Sequence, residues 1–143
     1  MLKSAFAAVF LFALAAIPGQ AATLSLSVSG IKAGNGMVRV CITRDLKTFP
    51  ECGKDPGKIV VSTPAKAGTV TLSIPNIADG KVAVVLFVDV NGNKKLDKNF
   101  IGIPSEPIGF SNNPSINFGP PKFDGAAINI AGDTATTIKL KYY

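Results

Sequence analysis

The sequence predicts an all-β fold: a two-sheet antiparallel β-sandwich of immunoglobulin-like or transthyretin-like type with about seven strands, a small β-barrel being the alternative. Three observations carry this. Short runs alternate apolar and polar residues with a period of two, as Leu24, Leu26 and Val28 do against Ser25, Ser27 and Ser29. Clusters of Gly, Pro, Asn and Asp separate the runs at the spacing of successive strands. No segment after residue 21 shows a helical period.

Taken in order, the first strand runs from Thr23 to the glycine at position 30. Gly34, Asn35 and Gly36 form a turn, and Val38, Val40 and Ile42 then alternate with Arg39, Cys41 and Thr43, so a first hairpin is expected to join these two strands. With the valines inward, Cys41 points away from the core. Residues 44–58 are a loop, since Pro50, Gly53, Pro56 and Gly57 break any long regular element. Residues 58–63 and 69–74 read as two further strands. Asp79-Gly80 then supplies the positive φ of a tight turn, and residues 81–90 form the most apolar strand, central, buried on both faces and packed between sheets. Pro120-Pro121 ends a long loop, and residues 126–130 and 136–142 are the last two strands.

The N-terminus reads as a signal peptide, residues 1–21. Lys3 gives the positive start, residues 5–17 are unbroken and apolar, and Pro18, Gly19, Gln20, Ala21 and Ala22 supply a breaker and small residues. Cleavage after Ala21 puts Gly19 at the small-residue position. The apolar run falls short of the roughly 20 residues that span a bilayer, and no nearby cysteine offers a lipid anchor, so an exported chain, periplasmic or secreted, is expected. Residues 22–143 then form a single β-sandwich domain. The net charge of +6 falls to +5 once Lys3 is removed, and the lysines are dispersed instead of forming a basic stripe, which argues against a nucleic-acid partner. Of the two cysteines, Cys41 and Cys52, no C-x-x-C spacing or histidine supports a metal or redox pair. In an oxidising compartment they are expected to form a disulfide worth roughly 3 kcal/mol through unfolded-state entropy.

The working surface is expected at residues 89–113, DVNGNKKLDKNFIGIPSEPIGFSNN, a long polar segment inside a small domain. Asp89, Asn91, Asn93 and Asp97 carry side-chain oxygens at the spacing of a calcium loop. Lys94 replaces the glycine of the sharp turn, Phe100 stands where a bidentate glutamate would close the cage, and three lysines oppose a cation. The alternative is an Asn-Gly turn braced by its own Asx side chains. The absence of histidine removes every mechanism needing an imidazole base. Ser105 and Glu106 are adjacent and point apart on an extended chain. Asp89, Asp97 and Glu106 as a glycosidase set lack an aromatic platform, because Trp is absent and both tyrosines, Tyr142 and Tyr143, are terminal.

The turn and strand at 77–88, the string DVNGNKKLD, the string GIPSEPIGFSNN at 102–113 and GPPKF at 119–123 resemble the bacterial domain of unknown function 2141, small exported proteins without an established activity. The resemblance spans most of the chain after the leader. It covers Asp89, Asn91, Asn93, Asp97, Gly102, Pro104, Glu106, Gly109, Phe110, Ser111 and Asn112. Lys94 departs from the family's glycine, and Val82 from an aromatic residue.

The leading functional reading is an exported, non-enzymatic envelope protein that binds or scaffolds an unknown envelope component or small ligand. Gly102, Pro104, Ser105, Glu106, Phe110, Ser111, Asn112 and Asn113 would present that surface. No cofactor is expected beyond weakly bound calcium, and the alternatives are a weak calcium-dependent binding module and a carboxylate hydrolase using Asp89, Asp97 and Glu106. A structural protein whose loop covers a sheet edge is the third. No transmembrane anchor is expected after signal cleavage.

Overall fold

The computed structural model describes residues 21–143; the signal peptide expected at 1–21 lies, but for its last residue, outside them. The strands are β1 Ala22–Ile31, β2 Met37–Thr43, β3 Ile59–Pro64, β4 Gly68–Ile77, β5 Gly80–Asp89, β6 Ile108–Phe110, β7 Ala127–Ile130 and β8 Thr134–Lys139, with a short α-helix, α1, at Phe123–Ala126 and a single 3-10 turn at Cys52–Lys54. They form two sheets in the order β4-β1-β8 and β3-β2-β5-β6, and β7 also pairs with β5. This is a β-sandwich and not a closed barrel. It departs from a purely antiparallel one because β1 and β8 run parallel, Leu24 beside Thr134 through Ser29 beside Lys139.

The alternating sequence sets the core. Leu24, Leu26 and Val28 of β1 face Val38, Val40 and Ile42 of β2 and Val82, Val84, Leu86 and Val88 of β5, all buried in one cluster with Ile138. The hairpin expected between β1 and β2 does not form: β1 pairs with β4 and β8, and β2 with β3 and β5. Residues 32–36 cross from one sheet to the other instead. Period-two alternation specifies a buried face but not a hydrogen-bonding partner, and five residues readily span the roughly 10 Å between packed sheets. The crossing is tight at Gly36, whose φ is +89°, and a Cβ there would meet the Asp89 carbonyl at 2.4 Å.

β5 is central, but its two faces meet different cores. One lies between the sheets; the other, at Ala83 and Val85, is covered by loop residues and α1, in a second cluster with Phe49, Leu96, Ile108, Phe110, Ile116 and Phe123. Phe49 packs edge-on against Phe110 and Phe123 at ring distances of 6.0 and 5.8 Å. The expectation that both faces pack between sheets is therefore corrected: loops cover the outer one. Cys41 does point outward, and its disulfide to Cys52 ties the following loop to the outer face of β2. In that loop Asp55 accepts from the Thr43 hydroxyl at 2.6 Å and from the Gly57 amide at 2.7 Å, and these bonds hold its carboxyl below the usual range.

Besides the 3-10 turn at Cys52–Lys54, α1 and β6 were not anticipated. β6 lies inside the segment read as a loop and pairs with β5 through Val85/Phe110, Leu86/Gly109 and Phe87/Ile108. Its other edge bonds Lys141 beyond β8, the Ile108 and Lys141 amides donating to each other's carbonyls at 3.1 and 2.8 Å. This seam joins the two sheets along one side. Glycine is required in its middle, since a Cβ on Gly109 would sit 2.5 Å from the Ile138 side chain and 3.2 Å from Leu86. Gly109→Ala is expected to cost about 1–3 kcal/mol by overpacking, read as a lower midpoint in a urea melt with an unchanged slope. A midpoint equal to that of the wild type would mean that the sheets do not approach this closely.

Candidate functional site

The segment between β5 and β6 is organised by two buried carboxylates. Asp89 ends β5 with no exposed surface. Its Oδ2 accepts from Arg39 Nε at 2.7 Å and from the Lys94 amide at 3.0 Å, and its Oδ1 from the Gly92 amide at 2.9 Å. Burial pushes this carboxyl up, but the Arg39 bond, the two amides and the Arg39 charge outweigh it and hold it below the ordinary carboxylate value. Glu106, also buried, reaches back from the far end of the segment: Oε1 accepts from the Val90 amide at 3.0 Å and Oε2 from the Asp97 amide at 3.1 Å. Residues 90–97 are thereby pinned at four amides. Gly92 and Lys94 adopt φ of +76° and +64° to permit it.

Asn91, Asn93 and Asp97 sit on the outside of this turn. Asp97 accepts from Asn91 Nδ2 at 2.7 Å and from Asn93 Nδ2 at 2.9 and 3.1 Å. The amide oxygens of the two asparagines face inward, accepting from the Asn93 and Lys95 amides. The four residues read as a calcium set thus share one loop, yet Asp89 points into the fold and Asp97 faces nitrogens. The arrangement is that of the Asx-braced turn. A second turn follows, in which Asn99 Oδ1 accepts from the Ile101 and Ile103 amides at 3.1 and 3.0 Å and the Ser105 amide donates to the Asp97 carbonyl at 2.8 Å.

The residues expected to form a binding surface divide in two. Glu106, Phe110 and Ser111 are buried, whereas Gly102, Ser105, Asn112 and Asn113 are exposed and Pro104 is half-buried. Ser111 fills the gap on the edge of β5 between β6 and β7: its amide donates to the Val84 carbonyl at 2.9 Å, its hydroxyl accepts from the Val84 amide at 2.8 Å, and the same hydroxyl donates to the Ala126 carbonyl. Asn112 and Asn113 have φ of +62° and +44°, which asparagine tolerates. Asn112 donates to the Gly125 carbonyl at 3.1 Å. The Asn113 side chain bridges to β8, donating to the Thr137 carbonyl and accepting from the Lys139 amide, each at 2.8 Å. These polar groups hold the fold together.

A groove of about 740 Å³ opens beside them on the outer face of the β2-β5 sheet. Cys41, Val60, Val85 and Phe87 floor it, and residues 50–53 form one wall. The opposite wall comprises Lys94, Leu96, Lys98, Gly102, Ile103 and Pro104, and Ile116, Asn117, Gly119 and Pro120 close one end, with Phe110 beneath. Gly102, Pro104 and Phe110 are the anticipated surface residues that line it. Arg39, Lys58, Lys94 and Lys98 bring positive charge to its edge. The acidic group there, Glu51, is bonded to Lys54, which holds its carboxyl below the usual range with a smaller pull from Lys98. Lys94 and Lys98 enter no ion pair among the described residues. The groove escaped sequence reasoning because its lining comes from many separated stretches between Arg39 and Tyr143, and exposed Val60 in an edge strand was its one local sign.

The pattern of the bacterial family described as "Uncharacterized protein conserved in bacteria (DUF2141)" matches residues 26–139. The chain belongs to this family. No curated protein and no solved structure matches it. The match reaches from β1 to the end of β8 and so includes both sheets, the braced turns and every groove-lining residue except Tyr143. Among the described residues, no helix is long and apolar enough to cross a membrane.

The low-lying Asp89 carboxyl gives a pH prediction. A group whose folded-state pKa is depressed contributes stability that is present above its unfolded pKa and is lost as pH falls through the folded value. Asp89→Asn should cost about 1.5–3 kcal/mol at neutral pH, the range for bonds to a charged group. In denaturant melts the gap from wild type should be constant above about pH 5 and shrink below about pH 4. A gap that persists undiminished into acid would show that the ionised carboxylate is not what braces the turn.

Proposed function

We propose that the protein is an exported, non-enzymatic binding module that takes a small amphiphile, an apolar body carrying an anionic group, in the groove walled by the 89–113 segment. The observation that carries this reading is the groove's chemistry: an apolar floor at Val60, Val85 and Phe87 with the unpaired cations Lys94 and Lys98 on one wall. Pockets that hold small ligands are commonly built this way, mostly apolar with a few placed polar groups. Export is supported by the leader-like residues 1–21 and by the Cys41–Cys52 bridge, since disulfides persist in oxidising compartments.

A non-enzymatic role is supported by how the carboxylates are used. Asp89 and Glu106 spend their oxygens on Arg39 and on backbone amides, and Asp97 on two asparagine side chains. None of the three lines the groove, and no histidine exists to act as a base.

The test is a fluorescence titration with a dansyl-labelled long-chain carboxylate and competition by unlabelled fatty acid or by the fatty alcohol of equal length. Saturable binding is expected, with the acid competing better than the alcohol. Lys94→Glu/Lys98→Glu should weaken the carboxylate about tenfold, the effect of reversing two partly screened charges, and leave the alcohol nearly unchanged. Absence of saturable binding, or equal loss for both competitors, would overturn the reading.

A further inference from the structure

Two loop tips beside the groove carry aromatic side chains that nothing in the fold uses. Phe100 is 99% exposed, with Ile101 beside it at 65%, and Phe118 is 100% exposed. The Phe100 tip is braced by backbone bonds, and the Phe118 tip adjoins the groove lining. Phe100 sits on the turn closed by Asn99, whose backbone amide donates to the Ile103 carbonyl at 2.8 Å and whose carbonyl accepts from the Gly102 amide at 3.0 Å. Phe118 lies between Asn117 and Gly119, both of which line the groove, as do Gly102 and Ile103 on the Phe100 side. The two aromatic tips therefore flank one opening.

Positive charge outweighs negative around them. Lys94, Lys95 and Lys98 are exposed on the loop that carries Phe100, and Lys122 is exposed just after the loop that carries Phe118. The neighbouring acids are Asp97, occupied by Asn91 and Asn93, Glu51, bonded to Lys54, and Asp124, exposed on α1. Lysine is depleted in protein–protein interfaces, whereas aromatic side chains ringed by lysine are what an anionic membrane surface receives, the ring entering below the headgroups and the ammonium groups staying among them. A bilayer also accepts two separate knobs without a matching pair of pockets.

We propose that the Phe100–Ile101 and Phe118 tips dock the protein on an anionic phospholipid surface and set the groove mouth against the headgroups. Docking does not require the groove to be filled, so this proposal and the ligand reading stand or fall separately. The test is co-sedimentation of the protein with vesicles of phosphatidylcholine alone or mixed with phosphatidylglycerol, at low and at raised salt. Binding is expected only to the mixed vesicles, weakening as salt rises. Phe100→Ser/Phe118→Ser should reduce it about tenfold with an unaltered thermal melt, as both rings are fully exposed. Lys95→Glu/Lys122→Glu, which changes no groove-lining residue, should reduce it about tenfold as well. Equal binding by wild type and the serine variant would overturn the proposal. So would a concentration-dependent dimer in sedimentation that the serine variant abolishes, because the tips would then belong to a second copy of the chain.

Discussion

The Asp89 carboxylate is the constraint on which the groove-bearing half of the molecule depends. A charge with no exposed surface at the end of the central strand is tolerable only if donors replace the water it has lost, because removing one partner from such a site leaves an uncompensated charge. Arg39 on the neighbouring strand supplies one donor, and the chain beyond the strand must bend back to supply two more through Gly92 and Lys94. That requirement fixes the first turn. Glu106 repeats the device from the other end, taking the Val90 and Asp97 amides. A segment that is long and polar on paper becomes a rigid wall, and Lys94, Leu96 and Lys98 gain fixed places along the groove.

The same economy governs residues 108–113. Gly109 permits the sheets to close on each other, Ser111 satisfies the β5 edge where neither β6 nor β7 reaches, and Asn113 covers the outer edge of β8. An uncovered edge is a site for unwanted strand pairing, and here one polar residue after another closes it. The polar string at 102–113 is largely scaffold, and what it leaves open is the apolar face that it walls.

How much of this the sequence disclosed differs between strands and site. Alternation located seven strands to within a few residues and placed Cys41 outward, because a buried face imposes its period directly. Partners were not legible. The crossing at 32–36 has the glycines of a hairpin turn, and only the packing of Gly36 against Asp89 distinguishes the two outcomes. β6 was hidden because three residues with a glycine in the middle carry no period, although Ile108 and Phe110 on either side of Gly109 were a faint sign. Asp89, Glu106 and Ser111 looked solvent-facing because polarity in a sequence does not say whether the polar group meets water or a backbone amide. Within 89–113, read from the sequence as one surface, most polar side chains brace the wall, and Gly102, Pro104 and Phe110 line the groove.

The central claim is that the carboxylates of this segment are braces. Site-resolved amide hydrogen exchange tests it most directly, because four donors on an outwardly exposed loop have been assigned acceptors: Val90 and Asp97 to Glu106, Gly92 and Lys94 to Asp89. All four should exchange far more slowly than unstructured peptide amides, and Glu106→Ala should release Val90 and Asp97 while Gly92 and Lys94 stay protected. Exchange of these four amides at free-peptide rates in the wild type would contradict the account.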